Sequence, residues 1–317
     1  MDLKRDEKEW VQRIMGSRTL EKEENPKKGP MKKICGFKEV AGMEEQKRLI
    51  IEGFINVLNN RECAEAYGIV PPSLLFYGPS GCGKTFFAEN LAGELGVNFI
   101  KVVPDDIAST WVHGTQEKIC EIFRKAEEEA PTILFFDEFD AMVPNRTDSD
   151  LHNQNGEVNE FLCKLNNASQ KGVYIIAATN HPESIDRAVL RTGRIDEMIY
   201  IGMPEKAARE SLFRLLLSKL PSDKDIDYGK LADLTQGYNC SDIKYIVQLA
   251  SRRMFNASIA QKDQPYKAIT QTQLEDAISN KTPSVTLNDL REYERIRSKF
   301  SPKDIGSKQR GIGYMIH

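Results

Sequence analysis

Two short runs in this 317-residue sequence carry residue types suited to handling phosphate. The first, Gly78-Pro79-Ser80-Gly81-Cys82-Gly83-Lys84-Thr85, follows the apolar run SLLFY and opens a segment of helical periodicity. Glycines let backbone N–H groups turn inward around phosphate oxygens, and a helix N-terminus adds the positive end of its dipole. Lys84 has the charge and reach for the outer phosphates of a nucleotide, and the Thr85 hydroxyl can ligate Mg2+. Pro79, Ser80, Gly81, Cys82, Gly83 and the following Phe86 complete the loop. Cys82 reads as a tolerated small residue rather than a redox centre. The second run, ILFFDEFD, ends an apolar strand in Asp137 and Glu138. Ligands of doubly wound sheets bind outside the carboxyl ends of the strands, so these acids can face the same phosphates. Asp137 suits a water-mediated hold on Mg2+, and Glu138 suits polarising an attacking water. Two adjacent acids do not by themselves separate a hydrolase from a slow nucleotide switch.

Such residues need a scaffold, and the hydrophobic pattern predicts one. Between Phe37 and Met203, five apolar runs of strand length (73–77, 98–103, 132–136, 173–178 and 197–202) alternate with segments of 3.6-residue period such as TFFAENLAGEL and EKICEIFRKAEEEA. That alternation implies βαβ units and a doubly wound, mostly parallel α/β sheet covered on both faces. After Pro204 the strand-like runs stop and helical periods continue to about residue 300. The expected division is an N-terminal helix and linker (1–33), an α/β domain (34–203), an all-helical unit (204–300) and a flexible tail (301–317). Trp10, within the first segment, fits either a helix resting on its own domain or a partner contact.

Composition narrows the function classes. With 44 Lys and Arg against 47 Asp and Glu, the net charge of -3 argues against a nucleic-acid binder working by bulk basic charge. No apolar run approaches a bilayer span, and the N-terminus lacks the apolar core of a secretory signal, so no membrane role is expected. The six cysteines show no paired metal-ligand spacing and read as reduced thiols of a cytoplasmic protein.

GPSGCGKT, APTILFFDEFDAM and AATNHPESIDRAVLRTGRID, in that order, resemble the AAA branch of the AAA+ ATPases, which includes katanin, spastin and the valosin-containing unfoldases. The similarity runs from about Phe37 to Phe300. It implies a P-loop NTPase sheet followed by a helical lid, with ATP and Mg2+ as ligands. FKEVAGMEEQKRLI resembles the lead-in whose backbone cradles adenine, which places Val40, Ala41 and Gly42 there. Asn180 matches the sensor that positions the attacking water. Arg191 and Arg194 match paired arginine fingers that reach the neighbouring subunit's ATP; the bland alternative for each is a surface ion pair. In the lid signature the family's Gly-Ala-Asp becomes Cys240-Ser241-Asp242, with Ser241 near the nucleotide and Asp242 expected as a helix cap. Trp111, Val112 and His113 fall where relatives carry the substrate-gripping loop of the axial channel, with Gly114 one place late.

The resemblance therefore implies a homo-oligomeric ring, a hexamer, that hydrolyses ATP to unfold or disassemble protein substrates by threading them through a pore. Two rivals stand beside it. One is a nucleotide-gated assembly ATPase acting on a dedicated partner, consistent with Trp10, the shifted loop glycine and the apolar GIGYMIH end. The other is a DNA-acting AAA+ protein, which would want a basic surface that the charge balance does not suggest.

Overall fold

Apolar runs of four to seven residues, rich in Leu, Ile, Val and aromatics, pair side by side because each is apolar on both faces. In the computed structural model, which describes residues 36–107, 114–145, 161, 164–165, 167–191, 193–259 and 267–300, they form β1 (Leu74–Tyr77), β2 (Asn98–Val102), β3 (Thr132–Phe136), β4 (Val173–Thr179) and β5 (Glu197–Tyr200). The sheet order is β2-β3-β4-β1-β5, and every pairing is parallel. The expected parallel sheet is found, with all five runs in place. The segments 1–33 and 301–317, and the residues Trp111, Val112 and His113, lie outside the described residues.

Alternation along the strands splits the apolar residues between two cores. Leu75, Leu134, Phe136, Ile175 and Ala177 face one layer with Ile119, Phe123 and Ala126 of the helix Gly114–Glu128. Leu74, Phe76, Ile133, Phe135, Ile176 and Ala178 face the other, with Phe54, Phe87, Ala88 and Leu91. The last three belong to the helix that opens at the phosphate loop, Lys84–Leu95, called α2 below; α1 is the lead-in helix Glu44–Ile50. Burial at about 25 cal/mol per Å2 of apolar surface drives both layers. A third cluster, built on Phe213, Leu217, Leu231, Ile243, Ile246, Ala250 and Leu274, binds the helices after Pro204. These are α3 (Lys206–Leu217), α4 (Tyr228–Leu234), α5 (Cys240–Ile259) and α6 (Gln271–Ser279).

Two buried charges tie this helical part. The Arg209 guanidinium, 7% exposed, donates to Ala232 O and Pro204 O, joining the start of α3 to the end of α4. Carbonyls at a helix C-terminus favour a cation, which offsets the burial. Asp242, 2% exposed and expected to cap α5, stands instead as its third residue, where it pairs with Asn239, the residue that caps the helix. Its N–H donates to Asn239 Oδ1 at 2.8 Å, and its carboxylate accepts from Ser284 N–H, Ser284 O–H and Lys281 Nζ. The last described helix, α7 (Leu287–Phe300), which the sequence groups with the lid, makes its ring contacts with strand ends instead. Phe300 lies edge-on to Tyr77, and Arg297 stands over the Tyr200 ring. Among the described residues no helix is long and apolar enough to cross a membrane.

Burial alone would push the Asp242 carboxyl up, but the donors from Lys281, Ser284 and Asn239 outweigh it and hold it below its ordinary value. A carboxyl lowered in the folded state adds stability above its unfolded value of about 3.9, and that stability fades as pH falls through the folded value. Asp242→Ala should therefore cost about 3 kcal/mol at pH 7, read from the urea midpoint, because it strands Lys281 and Ser284. The gap between variant and wild type should narrow as pH falls below the ordinary carboxylate range and through the lowered folded value; a gap that stays the same throughout acid titration would refute the assignment.

Candidate functional site

Parallel register brings the chemistry-bearing residues to one edge. Tyr77 stands opposite Thr179, and Phe136 opposite Ala177, so the chain leaves β1, β3 and β4 within about two rungs. The next residues are Gly78, Asp137 and Asn180. β4 lies between β1 and β3, and this gap in chain order is where doubly wound sheets bind ligands.

Lys84, at the first position of α2 and 8% exposed, donates from Nζ to Gly78 O at 2.8 Å, Pro79 O at 2.9 Å and Asn180 Oδ1 at 2.6 Å. Burial pulls this ammonium down to about 8; nearby Cys82, Asp137 and Asp140 hold it up. The first intrahelical bond of α2 is Phe87 N–H to Gly83 O, so the N–H groups before it have no partner within the helix. Gly81 and Gly83 take left-handed conformations, with φ of 76° and 95°. At Gly81 a Cβ would come within 2.6 Å of Asn239 Nδ2, so glycine is required by contact as well as by conformation. Cys82 is fully buried, and burial with the neighbouring Cys240 pushes its thiol up to about 12, which keeps it protonated and unreactive.

The acids meet this loop from β3. Thr85 O–H donates to Asp137 Oδ2 at 3.0 Å, and Asp137 Oδ1 accepts the Glu138 N–H at 3.1 Å. Lys101 Nζ, from β2, is 2.7 Å from the same Oδ2. Glu138 is exposed and left-handed, with φ 51° and ψ 47°, a conformation that costs a non-glycine residue about 1 kcal/mol or more. Strain of that kind at a strand end persists where the neighbouring structure enforces it. Asp140 accepts from Thr179 O–H at 2.5 Å, and Thr179 Oγ1 accepts the His181 N–H, which fixes the turn that carries Asn180. Tyr293 of α7 donates to the Asn180 carbonyl at 3.1 Å.

The helical part closes over the loop. Asn239, 3% exposed and just before α5, donates to Ser80 O at 3.1 Å, and the Ser241 N–H donates to Gly81 O at 3.0 Å. Cys240 lies beside the Cys82 carbonyl at 3.7 Å. The lead-in approaches from the other side. Val40 O accepts from Lys47 Nζ at 2.8 Å, Phe37 stacks on Phe87, and Met43 comes within 3.7 Å of a Cβ built on Gly83. Gly42, with φ of 67°, passes so near Ala208 of α3 that a Cβ there would meet the alanine methyl at 2.5 Å. Ala41 is half-buried between them, and Phe86 is 46% exposed.

Among the described residues Arg194 pairs with no carboxylate, although the sequence left a surface ion pair open for it. It is half-buried and donates to Ala188 O at 2.6 Å. Arg191 is exposed, and no described carboxylate pairs with it. The donor set fits a nucleoside triphosphate: a positive loop, free helix-terminal N–H groups and a Lys84 ammonium whose present acceptors are exchangeable carbonyls. Among the described residues no cluster of three or more His, Cys, Asp or Glu could hold a metal alone. A cation at Thr85 and Asp137 would thus draw its remaining ligands from phosphate and water, the habit of Mg2+. Sequence reasoning missed Asn239, Asp140, Lys101 and Tyr293. The spacing Asn239-x-x-Asp242 is a capping signature that could have flagged the first.

Comparison with known proteins agrees with this geometry. Residues 74–203 match the ATPase family associated with various cellular activities (AAA). Over 275 residues, 83% of this chain, the sequence is 34% identical to the Cell division cycle protein 48 homolog of Archaeoglobus fulgidus. The chain spans 38% of the length of that relative. The phosphate loop, Asp137, Glu138, Asn180 and both arginines fall inside the matched stretch, so residues 74–203 of this chain are an ATPase domain of the AAA family.

Proposed function

We propose that this chain hydrolyses Mg-ATP and uses the cycle to remodel or unfold protein substrates within a homo-oligomeric ring, a hexamer, in the cytoplasm. In this reading residues 34–203 form the ATPase domain and 204–300 its lid. The observation that carries it is the Thr85–Asp137 pair with Glu138 set next to it in a strained, solvent-facing conformation.

The residues divide the work by their chemistry. Loop N–H groups from Ser80 onward and the Lys84 ammonium bind the phosphates; Val40, Ala41 and Gly42 border the adenine with Ser241 across from them. Thr85 and Asp137 would hold Mg2+, which supplies neutralisation of phosphate charge when bound. Glu138 takes the proton of the attacking water, and Asn180 orients that water once Lys84 has shifted its bonds toward phosphate. Arg191 and Arg194 serve the adjoining subunit's site, where a planar guanidinium spreads transition-state charge. The exposure of Arg191 supports a role outside its own fold, and Tyr245, Phe255 and Ile259 leave α5 with apolar surface that a neighbour would cover. Trp111, Val112 and His113 would grip the substrate chain; an aromatic ring holds varied sequences by area and stacking.

Three measurements test this reading. Glu138→Gln should keep ATP binding and lose about 10²–10⁴-fold in turnover, measured by phosphate release; a loss under threefold would remove Glu138 as the base. Specific activity of the wild type should rise with protein concentration, and Arg191→Ala should stay inactive at the highest concentration while binding nucleotide normally. An activity per subunit that is constant down to the monomer would rule out the shared site. Lys84 gives a pH signature. With the pocket empty its ammonium deprotonates as pH rises through about 8, and bound phosphate restores the proton. Nucleotide binding near pH 8 should take up about half a proton per site, read from calorimetric enthalpies in two buffers, and affinity should fall between pH 7 and 9. Enthalpies independent of buffer would contradict it.

A further inference from the structure

Asp137 is served by a cation that its role does not require. Lys101 lies on β2, opposite Phe135 of β3, and its side chain runs toward the strand end to place Nζ 2.7 Å from Asp137 Oδ2. That oxygen is the same one that takes the Thr85 hydroxyl. Lys84, the other ammonium nearby, is engaged with Gly78 O, Pro79 O and Asn180 Oδ1. Among the described residues Lys101 is therefore the cation paired with the acid, and it stands where a divalent ion shared by Thr85 and Asp137 would exert its field.

We propose that Lys101 is a built-in counter-ion that competes with the divalent cation for Asp137 and so sets the metal concentration at which the nucleotide site fills. This rests on the reading of Thr85 and Asp137 as the metal-binding pair. The residue type fits the task. Lysine carries a compact charge on a flexible stem and can swing away, whereas arginine would lock the carboxylate in a two-pronged grip. Its side chain is 40% exposed, so water is at hand to receive the displaced ammonium. A pair this open contributes little to folding stability, which leaves occupancy of the acid as its main effect. When the pocket lacks metal, the pair neutralises Asp137 and keeps its Oδ2 beside Thr85. When a divalent ion arrives, the ammonium must leave Oδ2, and the work of parting them weakens metal affinity.

The test uses Mn2+ as the probe, titrated into the full-length chain with saturating ADP and counted by electron paramagnetic resonance. Wild type, Lys101→Met and Lys101→Arg are compared, with melting temperature as a check on folding. Lys101→Met should tighten Mn2+ binding about tenfold, and Lys101→Arg should stay at or weaker than wild type. ADP affinity without metal should change by less than twofold. A Lys101→Met protein that binds Mn2+ no more tightly than wild type overturns the inference and leaves the metal site standing. Absence of ADP-dependent Mn2+ binding in wild type and Lys101→Met alike would instead remove the site, and the competition with it.

Discussion

One buried ammonium organises the working edge of this protein. Lys84 is almost closed to solvent, and a charge so placed is tolerable only with its donors satisfied. Its acceptors come from the end of β1, from the loop that follows, and from the turn after β4. The loop cannot relax without releasing Gly78 O and Pro79 O, and the Asn180 turn cannot drift without uncovering the charge. Sheet order is drawn into the same bargain, because only a β4 beside β1 puts Asn180 within reach. The loop and the Asn180 turn are thus held in shape before any ligand arrives, which leaves the bonds of Lys84 itself as the part that must rearrange around phosphate.

Around that centre the charges are graded. Lys84 is dry and poorly able to keep its proton, while Lys101 is half in water and pairs with an acid that is itself partly exposed. Glu138 is more open still and carries the backbone strain. A site that is closed at the phosphate loop and open toward the acids matches the demands of the proposed chemistry, in which the phosphates would be held while water and metal come and go.

Much of this could be read from the residue order alone. TILFF coincides with β3, and the other four strands shift by no more than two residues at an end, because buried parallel strands are uniform apolar runs bounded by polar ones. The positions of Gly81, Lys84, Thr85, Asp137 and Glu138 were legible because local geometry fixes them: a tight loop, a helix start, a strand end. Asn239, Lys101 and Tyr293 were not. Asn239 meets Ser80 across 159 positions and Tyr293 meets Asn180 across 113, so no local spacing marks them. The two buried charges of the helical part, Arg209 and Asp242, divide the same way. The cap spacing announced the second, whereas the first depends on two helices meeting. The π-helical turn Ile51–Ile55 after α1 carried no signal either, since its residues fit an ordinary helix equally well.

The bond between Asn239 and Ser80 has a mechanical side. It lies at the very start of α5, a helix of 20 residues, and the phosphate loop is the other party. At 1.5 Å per residue that helix is about 30 Å long, so it acts as a lever pivoted on the loop. A tilt of roughly 5° at the pivot would carry the far end, near Ile259, about 2.5 Å, the width of an atom or more. A small adjustment of the loop at the pivot would in this way be geared up into a displacement at the far end of the helix comparable to an atomic contact.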